Sequence, residues 1–158
     1  MHKTNAMRLL DARGIAYTPG QYSPALHSGE EVACAIGEPA GRVFKTLVVL
    51  REPDVWLLVM VPSDRDLSLK KIAAAVGAKR VRMAAHRETE AKTGLLVGGI
   101  SALALVGKPF VVYLDLQALN WNSIYVSAGQ RGYNLCIAVD DLMAVTGAEL
   151  IDAAGEQP

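Results

Sequence analysis

Apolar residues recur along this chain in two spacings, short helical faces and compact β-type runs. The sharpest run is residues 43–50, Val-Phe-Lys-Thr-Leu-Val-Val-Leu. Its near-continuous apolar half predicts a strand covered on both faces. The turn Arg51-Glu52-Pro53-Asp54 leads into a second run at 55–61, ended by Pro62, so the two predict a central antiparallel hairpin.

The other elements follow from caps and breakers. Thr4 stands as the N-cap of a short helix with Met7, Leu9 and Leu10 on its apolar face, and Gly14 stops it. Residues 15–22 alternate apolar and polar but contain Pro19-Gly20, which predicts an edge or bent strand with Tyr22 just past the bend. Ser28-Gly29-Glu30-Glu31 has capping-box spacing and opens a helix that runs to Gly37. After the hairpin, Asp66 or Ser68 caps a helix at 69–76, a short strand follows at 80–83, and a helix at 86–93 stops at Gly94. Strands are predicted at 110–114, 123–126 and 134–138, the last two forming a hairpin around the glycine-rich turn 127–132. Asp140 is expected to cap a final helix ending at Thr146, and 153–158 reads as a loose tail behind one domain at 1–152. About seven strands with helices between them define an α+β class, with a mixed, largely antiparallel sheet curled toward a barrel and helices packed outside.

Composition narrows the classes of function. With 51% hydrophobic and only 6% aromatic content, the core is one of Val, Leu, Ala and Ile. No apolar run reaches the ~18 residues of a membrane span and no signal-peptide pattern opens the chain, so a cytoplasmic protein is expected. Cys34 and Cys136 have no companion at metal-ligand spacing and no basic sequence neighbour to activate them, and neither a metal nor a cofactor is expected. Sixteen basic residues balance sixteen acidic ones, which argues against coating long nucleic acid. The distribution is uneven: residues 65–92 hold eight basic residues against three acidic, a patch able to steer a short polyanion or simply a solvated face.

The lysine inside the first strand is the main chemical clue. No acidic residue lies between Glu38 and Glu52, so Lys45 either reaches water from the strand end or meets a ligand anion. His27 stands before a helix cap, as either a loop residue or a ligand contact. Gly98-Gly99, beside Ser101, lets backbone N–H groups approach a ligand, yet fits neither a P-loop nor a dinucleotide fingerprint.

Four segments together carry a family resemblance: residues 42–47 (Arg-Val-Phe-Lys-Thr-Leu), 66–72 (Asp-Leu-Ser-Leu-Lys-Lys-Ile), 93–101 (Thr-Gly-Leu-Leu-Val-Gly-Gly-Ile-Ser) and 124–132 (Ile-Tyr-Val-Ser-Ala-Gly-Gln-Arg-Gly). In this order, from about Leu9 to Val145, the chain resembles the YbaK/EbsC-like aminoacyl-tRNA deacylases, relatives of the editing domain of bacterial prolyl-tRNA synthetases. The resemblance implies hydrolysis of mischarged aminoacyl-tRNA in trans, with the tRNA acceptor end as partner and prolyl-tRNA synthetase as a candidate second one. It implies that Lys45 is required for activity, with Thr46 beside it, and that Gly98, Gly99 and Ser101 line the aminoacyl pocket. Ser127, Ala128 and Gly129 then form the other wall, Tyr22 the rim, and His27 and Asn134 further substrate contacts. Lys70, Lys71 and Lys79 in the basic segment are expected to meet the acceptor stem. Ala102 and Asn134 depart from the proline and aspartate of the cysteine-acting members, which leaves the choice among small amino acids open. No catalytic triad is legible, so attack falls to water or to a group of the substrate. The alternative is a tRNA- or nucleotide-binding module without turnover.

Overall fold

In the computed structural model, residues 2–26 and 28–156 are described, and His27 lies outside them. The predicted hairpin is the centre of the molecule: β2 (Phe44–Arg51) pairs antiparallel with β3 (Val55–Pro62) along its whole length. Strand alternation splits its side chains between two layers. Phe44, Val48, Leu58 and Met60 join the larger core, and Val49, Leu57, Val59 and Val61 join a second core with Ile72, Ala73 and Ala153. Residues 58–61 of β3 are wholly buried, as expected of a strand covered on both faces.

Around this hairpin stand, among the described residues, five α-helices and six further strands. α1 (Asn5–Ala12) is capped by Thr4 and buries Ala6, Met7 and Leu10 in the larger core. β1 (Tyr17–Gln21) is an edge strand, and α2 (Gly29–Ile36) begins with the expected Ser28–Glu31 capping box. α3 (Leu69–Val76) is capped by Ser68, β4 (Arg82–Met83) is short, and α4 (His86–Thr93) follows it. β5 (Val111–Asp115), β6 (Ser123–Gln130), β7 (Tyr133–Ala138), α5 (Val139–Thr146) and β8 (Glu149–Ile151) complete the order.

The strands do not form one curled sheet. They divide into a three-stranded antiparallel sheet, β1-β7-β6, and a five-stranded mixed sheet, β4-β2-β3-β5-β8, in which β5 runs parallel to both neighbours. An isolated parallel bridge between Val43 and Tyr125 joins the sheets. Arg42 reinforces that seam: Nε and Nη2 donate to Ser123 O and Oγ at 3.0 and 2.7 Å, and Nη1 pairs with Glu38 at 3.1 Å. Its guanidinium also faces the rings of Trp121 and Tyr125, 5.7 and 5.3 Å from their centroids. Arg42 therefore sets where β2, and Lys45 with it, enters the fold.

Three expectations are corrected. β6 continues to Gln130 through a bulge, so only Arg131 and Gly132 remain as the turn. Asp140 lies in the first turn of α5, whose N-cap is Ala138. There its charge suits the positive end of the helix dipole without capping it. The expected tail is pinned at Ala153 and Ala154, both buried. Their N–H groups donate to Asp115 Oδ1 at 2.8 and 2.7 Å, and β8, unseen in the sequence, leads into them. None of the described helices is long and apolar enough to cross a membrane.

Candidate active site

The start of β2, the ends of β6 and β7, the loop after α4 and the first turn of α2 enclose a cavity of about 780 Å³. That size suits a small ligand or the end of a larger one. Of the predicted residues, Tyr22, Lys45, Thr46, Gly98, Ser127 and Asn134 line it. His27 is outside the described residues.

Lys45 is half-buried on the wall, paired in register with Val61, and forms no ion pair among the described residues. Thr46 points to the opposite face of the strand. β4 covers β2 only at Val49 and Leu50, and Ala84 N–H donates to Val48 C=O. Backbone groups of alternate residues share an edge, so those of Thr46 face the same side, where no described strand pairs with them. The cavity therefore meets a free cation and a short unpaired strand edge.

Asn134 is 3% exposed, and neither its Oδ1 nor its Nδ2 has a partner among the described residues. It pairs in register with Gly20 of β1 and Ser127 of β6. A Cβ at position 20 would lie 2.3 Å from Asn134 Oδ1, so the bare backbone of Gly20 is what leaves that side chain its place. An unsatisfied buried amide costs about 1–3 kcal/mol, a cost that a ligand with matching donors and acceptors removes. Tyr22 lines the same cavity, and burial pushes its phenol above the ordinary range, partly offset by a backbone hydrogen bond from Gly132.

The glycine pair acts differently at its two positions. Gly99 is buried against the β6–β7 turn, where a Cβ would meet the Arg131 backbone nitrogen at 3.0 Å, and its own N–H donates to Leu96 C=O at 2.8 Å. Gly98 is exposed to the cavity, with the Arg131 side chain lying across it. No acceptor among the described residues takes the N–H of Gly98 or Ile100, both of which line the cavity. The free donors are thus Gly98 and Ile100 rather than Gly99.

Ser101, Ala128 and Gly129 stand behind the wall, not on it. Ser101 is 1% exposed and its Oγ accepts from Ala104 N at 3.2 Å. Ala128 is wholly buried, and Gly129 faces Ala104. Ser127 does line the cavity, with its Oγ holding the bulge through Gly129 N–H at 3.1 Å. Arg131, His86, Ser63 and the first turn of α2 also line the cavity without having been singled out from the sequence. Of these only Arg131 had a signal, its place in the fourth of the segments that carry the family resemblance.

The three lysines of the basic segment lie off the cavity. Lys71 donates to Asp152 and Ala154 O at 3.2 and 2.8 Å, Lys79 lines a separate cleft of about 260 Å³ with Arg51 and Arg80, and Lys70 is exposed. Among the described residues no cluster of His, Cys, Asp and Glu is arranged to hold a metal. Cys136, against expectation, has a basic neighbour, Arg42 Nη2 at 3.7 Å.

Comparison with known proteins gives the site its context. Residues 23–145 match the family model of the aminoacyl-tRNA editing domain. An Enterococcus faecalis protein named "Putative Cys-tRNA(Pro)/Cys-tRNA(Cys) deacylase EbsC" is 34% identical over 95% of this chain and 92% of its own. A proline–tRNA ligase of Shouchella clausii is 30% identical over 71% of this chain but only 19% of the ligase. A crystal structure described as "a putative trans-editing enzyme for prolyl tRNA synthetase" superposes with a TM-score of 0.82 at 25% identity, covering 99% of this chain and all of that one. A family pattern that begins just after Tyr22 and ends with α5, together with a relative alike over nearly its full length, means that this chain belongs to the aminoacyl-tRNA editing domain family, among its YbaK/EbsC-like members.

Proposed function

We propose that the protein is a trans-acting deacylase that hydrolyses the ester of tRNA mischarged with a small amino acid, cysteine, alanine, serine or threonine. The observation that carries this reading is the buried amide of Asn134, unpartnered at the edge of a cavity whose other wall bears the uncompensated cation Lys45. Lys45 holds the terminal nucleotide through its phosphate, and Asn134 meets the polar groups of the aminoacyl moiety. The N–H groups of Gly98 and Ile100 stabilise the carbonyl oxygen as it takes up negative charge.

Water, oriented by the enzyme or by a substrate hydroxyl, adds to the carbonyl carbon. The bond to the ribose oxygen then breaks, that oxygen takes a proton, and free amino acid leaves uncharged tRNA. An activated ester needs little more than orientation and an oxyanion site. EbsC, by its name, acts on Cys-tRNA(Pro) and Cys-tRNA(Cys), which supports the reaction class. Asn134 and Ala102 replace the aspartate and proline of the cysteine-acting pattern, which supports a preference broader than cysteine.

The test is deacylation of a panel of tRNAs charged with cysteine, alanine, serine, threonine and proline. Turnover of at least one small aminoacyl group, with cognate prolyl-tRNA spared, is the expected result. Binding of tRNA with no turnover of any member would overturn it in favour of a carrier module.

A further inference from the structure

The loop that presents Gly98 and Ile100 is gripped at a single peptide residue from two sides. Val97 N–H donates to Glu90 Oε2 at 2.8 Å, and Val97 C=O accepts from Arg131 Nε at 2.8 Å. Glu90 comes from α4 and Arg131 from the β6–β7 turn, so the two holds belong to elements far apart in the chain. His86 Nε2 lies 3.2 Å from Glu90 Oε2 and orients that carboxylate. The Val97 N–H is also the first cause that holds the Glu90 carboxyl below its ordinary range, followed by burial in the opposite sense and then His86 and Arg131.

We propose that Glu90 and Arg131 are positioning residues, a pair of opposite charges that clamps Val97 so that the next N–H groups along the loop point into the cavity. This rests on the reading of Gly98 and Ile100 as donors to the reacting carbonyl oxygen. A backbone donor has no side chain of its own to aim it, so its direction must be set by what holds the neighbouring peptides. Charge-assisted hydrogen bonds are about twice as strong as neutral ones. An anion on the N–H and a cation on the C=O of one residue both reinforce the polarisation of the adjoining peptide units. Gly98 and Gly99 belong to the same device. The Arg131 side chain crosses Gly98 at a distance that a Cβ would narrow to 3.3 Å, and Gly99 lets the loop touch the Arg131 backbone.

Arg131 is exposed and lines the cavity, so a phosphate contact is the rival role to be separated. Deacylation is measured on full mischarged tRNA and on a minimal aminoacyl-nucleotide, with hydrogen exchange of residues 95–100 followed in the same variants. Arg131→Ala and Glu90→Ala are expected to lower kcat about 10- to 100-fold on both substrates with KM nearly unchanged, as misplacement of reacting groups does. Arg131→Gln and Glu90→Gln, which keep a donor and an acceptor without charge, recover only part of kcat, and Arg131→Lys, which keeps the charge without the Nε–H donor, recovers less. The double alanine variant loses little more than the worse single one, since both act on Val97. Exchange in the loop speeds up in the alanine variants.

A loss confined to KM on full tRNA and repaired by lysine but not glutamine would make Arg131 a phosphate contact and overturn the proposal. Losses that multiply, or unchanged exchange in the loop, would overturn it as well. If the wild-type protein turns over no substrate, the functional reading fails instead, and the exchange data alone still decide whether the clamp exists.

Discussion

Positive charge occurs in two very different settings in this molecule. Residues 65–92 hold eight of the sixteen basic residues, yet the protein itself takes up several of them. Arg65 donates to Gly155 O at 3.2 Å, Lys71 to Asp152 and Ala154 O, and Arg82 to both Glu52 and Glu88, while Lys92 lies over the Trp56 ring. Lys45 stands alone in an apolar strand, half-buried, with no ion-pair partner among the described residues. Density of charge along a sequence therefore says little about charge available to a ligand. What counts is whether folding supplies counter-ions, and a partly desolvated cation without one is the stronger sign of a site.

Lys45→Ala tests the solitary charge and carries the largest expected effect. Deacylation falls by about 100-fold or more, the scale of misplacing the reacting ester once the terminal nucleotide is no longer held, while the thermal midpoint stays close to wild type. Near-normal turnover would remove Lys45 from the site, and failure to fold would make it a structural residue.

Asn134→Leu sets activity against stability. Removing a buried amide without partners relieves its desolvation cost, so the unliganded protein is expected to gain about 1 kcal/mol in denaturant unfolding. Its kcat/KM falls by about tenfold, with the loss greatest on the substrates whose side chains bear a hydroxyl. A less stable variant would mean that the amide has a partner in solution. Gly20→Ala should act in the same direction on activity, because the new Cβ occupies the place of Asn134 Oδ1.

For the crowded region the expectation splits among its three lysines. Lys70→Ala with Lys79→Ala weakens tRNA binding and flattens its salt dependence, since phosphate contacts release counterions. Lys71→Ala instead lowers stability by about 0.5 kcal/mol, the scale of an exposed ion pair, and speeds hydrogen exchange at 152–154. Equal effects of all three on tRNA affinity would erase the distinction between spent and available charge.

The smallest effect concerns pH. Glu90 has its carboxyl lowered from an ordinary value of 4.5, chiefly by the Val97 N–H, so its folded form favours the carboxylate. The sign follows from linkage: the stabilisation is complete above the unfolded value and is lost as pH falls through the folded one. Loop 95–100 should keep its exchange protection at neutral pH and lose part of it as pH falls through the lowered folded value, below 4.5, and Glu90→Gln should abolish that dependence.

Much of the fold was legible because local rules set it. Capping at Thr4, Ser28 and Ser68, the hairpin at Arg51-Glu52-Pro53-Asp54 and the α+β class all follow from spacing and turn chemistry, and the structure agrees with them. Lys45 was legible for the same reason, as a cation in a strand pattern that left it no nearby acid. Residues 149–151 went unassigned, because β8 is only three residues long, and Ala153 and Ala154 were misread as the start of a tail. Nothing local marks β8, and it exists through pairing with β5 and through the buried carboxylate of Asp115. The glycine segment was found but apportioned wrongly. Ser101 and Gly99 sit beside Gly98 in sequence, yet one caps a buried turn and the other spends its N–H on Leu96.

The sequence by itself thus determined most of the elements, the family and a lysine in a strand with no nearby acid, all matters of pattern within a few residues or of motifs in order. Only the tertiary structure decided which charges remain free, which N–H groups of the cavity lining lack a partner among the described residues, and that the buried amide of Asn134 has none there either. Each of those depends on groups brought together from distant positions, Gly20 with Asn134, Glu90 and Arg131 with Val97, Lys71 with Asp152. Hydrogen bonds and ion pairs act over a few ångströms of space, so their partners cannot be counted along the chain.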